Sequence, residues 1–274
     1  MKNLILAVIL VLLPLTATLA LDTNKVQYRK ITNNSFIPGE NLEYEINYGF
    51  ITAGTATVSV NPQFTEVNGR KCYLIEVNAK SAPGFEFIYK FRQTYKCYLD
   101  AEGMFTWLVD QDKLEGNKAE KIKMEFQHFP ENSKVTRTEE KDGTTKSKDI
   151  PIDMYSLDDI GTYFYARTLD FTNKQIGETS IFPYVTKDEK KDLGIKFLGR
   201  ENTDVPAGEF KCIVVQPMLR EAALASKVDD IFVWLTDDEY KMPVKIQMKI
   251  IIGSIKVELK SYSGLAGPLK TKID

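Results

Sequence analysis

Apolar and polar residues alternate along most of this chain. Leu42, Tyr44, Ile46 and Tyr48 alternate with Glu43, Glu45 and Asn47, the period of a strand with one dry and one wet face. Pro38-Gly39 precedes this run, Gly49 interrupts it, and Ile51 to Val60 continues in small and β-branched residues. Phe36 to Val60 therefore reads as an antiparallel pair opening a larger sheet, with Gly49 at the bend. Asn68-Gly69 turns into a strand through Tyr73, Ile75, Val77 and Ala79, which Pro83-Gly84 breaks. A long alternation follows. Phe85, Phe87, Tyr89, Phe91, Tyr95, Cys97 and Leu99 face one way, with Glu86, Lys90, Arg92, Thr94, Lys96 and Asp100 opposite. A strand of that length predicts a curved sheet or barrel.

More strands are predicted at Met104 to Val109 and around Ile122, Met124 and Phe126. Lys134 to Glu139 and Thr144 to Ile150, joined at Asp142-Gly143, are polar on both faces and read as an exposed edge hairpin. Ser156 with Asp159 three residues on is a helix-start signature, and Leu157, Ile160 and Phe164 recur at helical spacing. One helix near 156–169 is expected, covering the sheet interior. Strands resume at Thr179 to Val185, Leu193 to Glu201 and Phe210 to Gln216, before an alanine-rich stretch, Pro217 to Lys227, that reads as a short helix or flap. Val244 to Ile252 and Ile255 to Lys260 form a closing hairpin around Gly253-Ser254. The expected fold is mostly β: a single antiparallel barrel or half-barrel, a curled sheet of about a dozen strands, since curling removes unpaired edges.

The N-terminus changes the compartment. Lys2, the apolar run Leu4 to Leu13 and small residues ending at Ala20 have the layout of a secretory signal peptide cut after Ala20. No Cys follows that point, so no lipid attachment is expected there, and no later segment is long and apolar enough to span a bilayer. The expected organisation is a signal peptide over 1–20, an extended lead-in over 21–35, a β-barrel-like domain over 36–266 and a tail over 267–274. The protein is expected to be soluble, exported and periplasmic.

Composition adds little chemistry. Thirty-six basic against 38 acidic residues give a formal charge of −2, with no nucleic-acid footprint. Cys72, Cys97 and Cys212 sit inside strand-like runs. Cys72 and Cys97 are the candidate disulfide, against the alternative of buried thiols acting as small hydrophobes. No metal-ligand spacing occurs, and no cofactor is expected. His128 is the sole histidine, with no nucleophile elbow or phosphate-cradling loop to accompany it. Two acidic clusters, Asp158-Asp159 and Asp237-Asp238-Glu239, are the only candidates for carboxylate-pair chemistry. Both are read first as a helix cap and a polar turn.

Three stretches together resemble a known family. They are FIPGE at 36–40 running through Leu42, Tyr44 and Tyr48-Gly49 to ITAG at 51–54; the Tyr95 to Gly103 strand and turn, ending LDAEG; and FVWLTDD at 232–238 with MPVKI at 242–246 and Gly253-Ser254. In this the chain is similar to the exported domain-of-unknown-function 3108 family. The resemblance implies an envelope protein with a barrel-like antiparallel sheet, similar in outline to periplasmic carriers that hold acyl chains. It supplies no catalytic residues. Arg167 lies where relatives carry Leu-Arg, but here it follows Ala166, so that match is partial.

The expected function is non-enzymatic: binding of a lipid or other amphiphile in an apolar cleft lined by Phe85, Phe87, Tyr89, Phe91 and Trp234. Arg167, Asp237 and Asp238 are the polar candidates. The alternative is a structural or assembly factor binding an envelope polymer or a protein partner through an outer face or edge, such as the Lys134 to Lys148 hairpin. Glycan hydrolysis by paired carboxylates ranks last.

Overall fold

The computed structural model describes residues 26–219, 231–250 and 253–273. It is one antiparallel sheet, curled but not closed into a barrel. The first half contributes β1 (Asn41–Tyr48), β2 (Ile51–Val60), the short β3 (Thr65–Val67), β4 (Arg70–Ser81), β5 (Phe91–Asp100), β6 (Thr106–Glu115), β7 (Lys118–Gln127), β8 (Lys134–Lys141) and β9 (Thr144–Pro151). Among the described residues one helix, α1 (Asp159–Ala166), precedes β10 (Thr179–Val185), β11 (Lys190–Val205), β12 (Gly208–Leu219), β13 (Ile231–Thr236), β14 (Pro243–Lys249), β15 (Ser254–Ser263) and β16 (Lys272–Ile273).

Apart from β3, which pairs with β4 alone, and β16, which pairs with β12, strand order follows chain order with one seam. The sheet runs from β10 through β15 to β1, then on through β2 and β4 to β9. Its two edges, β9 and β10, approach each other without pairing. Leu157 pairs with the β10 edge: its N–H donates to the Pro183 carbonyl at 3.1 Å, and Val185 N–H donates to its carbonyl at 2.9 Å, while Lys148 of β9 reaches the Asp188 carbonyl at 3.1 Å.

Alternation explains both faces. Ile75, Cys97, Val109 and Met124 lie opposite one another on successive strands, and all are buried. On the wet face, Glu76, Lys96, Asp110 and Lys123 form a row of alternating charge across the same strands. Opposite charges facing each other across strands favour this register, because a slip of one residue would reverse every side chain. A second apolar cluster gathers Leu42, Tyr44, Phe210, Trp234, Val244 and Leu259, where β11 curls back towards β14 and β15.

Two expectations are corrected. Residues 85–90 are not strand: Phe85 N–H and Glu86 N–H both donate to the Ala82 carbonyl, and Tyr89 N–H donates to the Phe85 carbonyl. The Ser81 hydroxyl staples this turn, donating to the Tyr89 carbonyl at 2.7 Å and accepting from Phe91 N–H at 2.9 Å. The helix spans only Asp159–Ala166, and its cap is Asp158 rather than Ser156. The Ser156 hydroxyl is already committed to the Asp153 carbonyl. Residues 220–227 of the expected helix or flap, and Ile251 and Ile252 of the closing hairpin, lie outside the described residues, while Pro217 to Leu219 end β12.

The two ends of the curl differ. At one end, the lead-in (residues 26–40), the β5–β6 turn and the chain before α1 form a plug around Tyr28, Phe105, Trp107 and His128. Asp100 anchors it, accepting from Arg70 at 2.5 and 2.9 Å, from Trp107 Nε1 at 2.9 Å and from Gly103 N–H at 2.6 Å. The other end carries the tips of the β1–β2, β4–β5 and β14–β15 hairpins side by side, as the pairings Tyr48 with Ile51, Tyr48 with Ile255 and Gly54 with Ser81 require.

Candidate functional site

Helix α1 lies inside the curl because its N-terminus is tied to the sheet interior. Asp158 is buried and caps the helix through Ile160 N–H at 3.0 Å and Gly161 N–H at 3.1 Å. Its carboxylate also accepts from Tyr95 OH at 2.9 Å, Thr106 OH at 2.5 Å and the Cys97 thiol at 3.1 Å. A buried carboxylate is tolerated when donors surround it in this way. Gly161 is needed here, since a Cβ would sit 2.6 Å from both Asp158 Oδ1 and Thr106 Oγ1. Burial first, then the adjacent carboxylate, drives the Cys97 thiol well above its ordinary range.

The helix C-terminus is tied to the closed end. Arg167 is buried and forms a two-pronged pair with Glu40 at 2.5 and 2.8 Å. It also donates to the Ser35 carbonyl at 2.9 Å and the Tyr240 carbonyl at 3.1 Å. Its guanidinium lies over the Phe36 and Phe164 rings. Planar, five-donor arginine suits such a site better than lysine.

Between these anchors the interior is hollow on both sides of the helix. One cavity of about 190 Å³ lies against β10–β13, lined by Tyr163, Leu193, Ile195, Val215, Val233 and Leu235. A second, of about 160 Å³, lies against β1, β2 and β15, lined by Leu42, Tyr44, Val58, Tyr163, Ile246 and Val257. Tyr163 borders both. The first cavity runs towards the hairpin end, since Leu219 and Ile231 line it. Its polar groups are few. Asp159, exposed at the cavity mouth, accepts a hydrogen bond from Tyr184 OH, and desolvation by the protein packed around it raises its carboxyl above its ordinary value. Burial also pushes the Tyr163 phenol up to about 12. Such groups can hold one hydroxyl or amine among apolar walls.

The predicted site residues are dispersed. Phe87 is 84 % exposed and points into water, while Phe85, Tyr89 and Phe91 border a surface recess at the hairpin end with Tyr48 and Ile255. None of these four lines the interior cavities. Trp234 is buried in the second cluster, donating to Glu201 at 2.6 Å under the ammonium of Lys245, so it does not line them either. Asp237 pairs with Arg200 at 2.9 Å. Asp238 caps its turn, accepting from Tyr240 and Lys241 N–H and from the Thr236 and Thr271 hydroxyls. Of the polar candidates, only Arg167 reaches a cavity wall.

All three cysteines are free and buried. Cys97 faces Ile75 across the ladder, so Cys72 lies three rungs away, about 10 Å along the strand and beyond bridging distance. The buried-thiol reading holds instead of the Cys72–Cys97 bridge. His128 is also buried, accepting from Tyr155 N–H at 3.2 Å and donating through Nε2 to the Thr106 carbonyl at 2.7 Å. Burial, chiefly, lowers its pKa to about 4. Among the described residues no three His, Cys, Asp or Glu side chains are placed to hold a metal, and no helix is long and apolar enough to cross a membrane.

Sequence reasoning missed Glu40, Asp158 as the cap, and the cavity-lining Leu193, Ile195, Val215, Val233 and Leu235. Leu193, Ile195 and Val215 fall in expected strands and Val233 and Leu235 in the FVWLTDD stretch, but neither reading shows that space lies beside them.

Known proteins bear on the fold more than on the chemistry. The family model described as a protein of unknown function, DUF3108, matches residues 43–260. A β-barrel-like protein of domain-of-unknown-function family 1849 from Brucella abortus superposes with a TM-score of 0.52 at 7% identity, covering 86% of this chain and 99% of that one. A candidate lipoprotein from Parabacteroides distasonis (TM-score 0.30, 9% identity, covering 86% and 100%) is more distant. So is a candidate exported protein with a YmcC-like fold from Bacteroides fragilis (0.28, 8%, covering 86% and 100%). Neither of these two adds weight to the fold. No curated protein matches the chain.

Proposed function

This chain belongs to the DUF3108 family, and we propose that it is an exported, periplasmic, non-enzymatic envelope protein that holds the alkyl part of a lipid or other amphiphile beside α1. The supporting observation is the pair of apolar cavities on either side of the helix, of about 190 and 160 Å³, sharing Tyr163 as a wall. Pockets for drug-sized molecules start near ~300 Å³. Each cavity alone suits one alkyl chain or a small amphiphile rather than a two-chain lipid. Asp159, Tyr184 and the Tyr163 phenol offer polar contacts on the β10–β13 side. The acidic clusters serve the helix cap and a turn, which favours binding over hydrolysis.

Native mass spectrometry after gentle purification tests this reading. A bound mass is expected on the wild-type protein and its loss on Val233→Trp, which fills the larger cavity. A protein that is always ligand-free, with Val233→Trp as stable as wild type, defeats it.

The alternative, an assembly factor, draws support from β9, an open sheet edge whose Thr144 to Asp149 are all exposed. Capture of an envelope component that Lys146→Glu with Lys148→Glu abolishes would favour it. Charged side chains on an edge also keep it from pairing.

A further inference from the structure

Three neighbouring hairpin tips carry large apolar side chains that the fold does not bury. Phe50 is 108% exposed and Ile51 55% at the β1–β2 tip, while Phe87 is 84% and Ile88 62% exposed in the β4–β5 turn. Ile250, at the β14–β15 tip, is also exposed. Strands β14, β15, β1, β2, β4 and β5 are consecutive in the sheet, so these tips share a rim about 24 Å wide. Scattered exposed hydrophobes are ordinary, but a contiguous group marks an interaction surface.

Charge identifies the occupant. Lys90 and Lys249 are exposed directly beside the tips, with Lys80 and Lys256 behind them. Residues 48–52 and 249–256 contain no acid. Glu86, the acid in the β4–β5 turn, faces Arg92 at 3.4 Å, and Glu115 at the next tip binds Lys113 and the Tyr89 hydroxyl. Apolar prongs flanked by lysines that make no ion pair among the described residues, with the Lys249 ammonium over the Phe232 ring, match a layer with an apolar interior and an anionic surface. A protein partner would need a separate pocket for each prong. We infer that this rim docks the protein on an anionic lipid bilayer, with Phe50, Phe87 and Ile88 entering the interfacial region. This inference rests on the exposed tips and stands whether or not the interior holds a ligand.

Vesicle flotation tests it, using equimolar phosphatidylethanolamine and phosphatidylglycerol. The protein used has an N-terminus verified to begin at Leu21, so that the apolar 4–13 run contributes nothing. Wild type is expected to float with these vesicles and to bind pure phosphatidylcholine less. The triple variant Phe50→Ser, Phe87→Ser, Ile88→Ser is expected to bind at least ~100-fold more weakly, since burying each apolar side chain is worth ~10-fold or more. Lys90→Gln with Lys249→Gln should weaken binding and flatten its salt dependence. All five sites are exposed, and unchanged unfolding midpoints verify the fold. The inference is overturned if wild type stays with the aqueous phase or if the triple variant floats equally well. A self-association that the triple variant abolishes, without vesicle binding, would equally overturn it and assign the rim to a second copy of the chain.

Discussion

His128 provides a measurable link between burial and pH. It is the only histidine in the chain, so its ring resonances are assigned without ambiguity. The ring is fully buried against Phe105, Trp107 and Phe126, and burial is the main cause of the drop from 6.5 to about 4. Arg29 adds to the drop, while the Thr106 carbonyl and Asp100 oppose it. Between those two values the unfolded chain takes up a proton that the folded protein refuses. Stability therefore falls as pH drops from about 6.5 towards about 4 and levels off below, a loss of about 3 kcal/mol from this group alone. Above 6.5 both states are neutral and the group has no effect. Other groups titrate nearby, and desolvation raises Asp159 in the opposite sense. The informative quantity is therefore the difference between wild type and His128→Gln. Urea unfolding followed by tryptophan fluorescence from pH 7.5 to 4 should show wild type losing about 3 kcal/mol relative to the variant. Whatever packing His128→Gln costs is a constant offset and leaves this slope intact. A flat difference, or a ring that titrates near 6.5 by NMR, would refute the burial argument.

Three further outcomes follow from the anchors. Glu40→Gln or Arg167→Met should each cost about 3–5 kcal/mol in denaturant unfolding, because each strands a buried charge, whereas Glu40→Leu with Arg167→Met should recover much of the loss. Asp158→Asn should cost about 2–4 kcal/mol and lower the melting temperature, since its amide turns donors towards the donors of Tyr95, Thr106 and Cys97. In β2, a Cβ on Gly54 would lie 2.4 Å from the Lys80 carbonyl oxygen, so Gly54→Ala should destabilise by about 1–3 kcal/mol in the same assay.

The sheet was legible because most strands keep one dry face, and a period of two leaves few alternatives. Single strands such as β4 and β14 appear nearly where the alternation puts them. The failure at 85–90 has a clear cause: alternate aromatics continue through a turn whose only local warning is Pro83-Gly84. Periodicity reports which residues share a face, not whether that face meets a core, a cavity or water. Arg167 came into view through family resemblance, yet Glu40 lies 127 residues away and nothing local announces the pair. Asp158 and Asp159 are indistinguishable in sequence. Three-dimensional placement makes the first a cap with every nearby donor aimed at it and leaves the second facing the cavity.

The seam between β1 and β15 has a consequence in time. A chain delivered N-terminus first can pair β1 with β2 at once, yet its other flank must wait for partners such as Ser261, 218 residues beyond Glu43. Contacts so remote in sequence form slowly, and a bare strand flank invites pairing with other molecules during the delay. Loss of residues 254–274 would make that delay permanent, and chains cut short before β15 should clump through this strand.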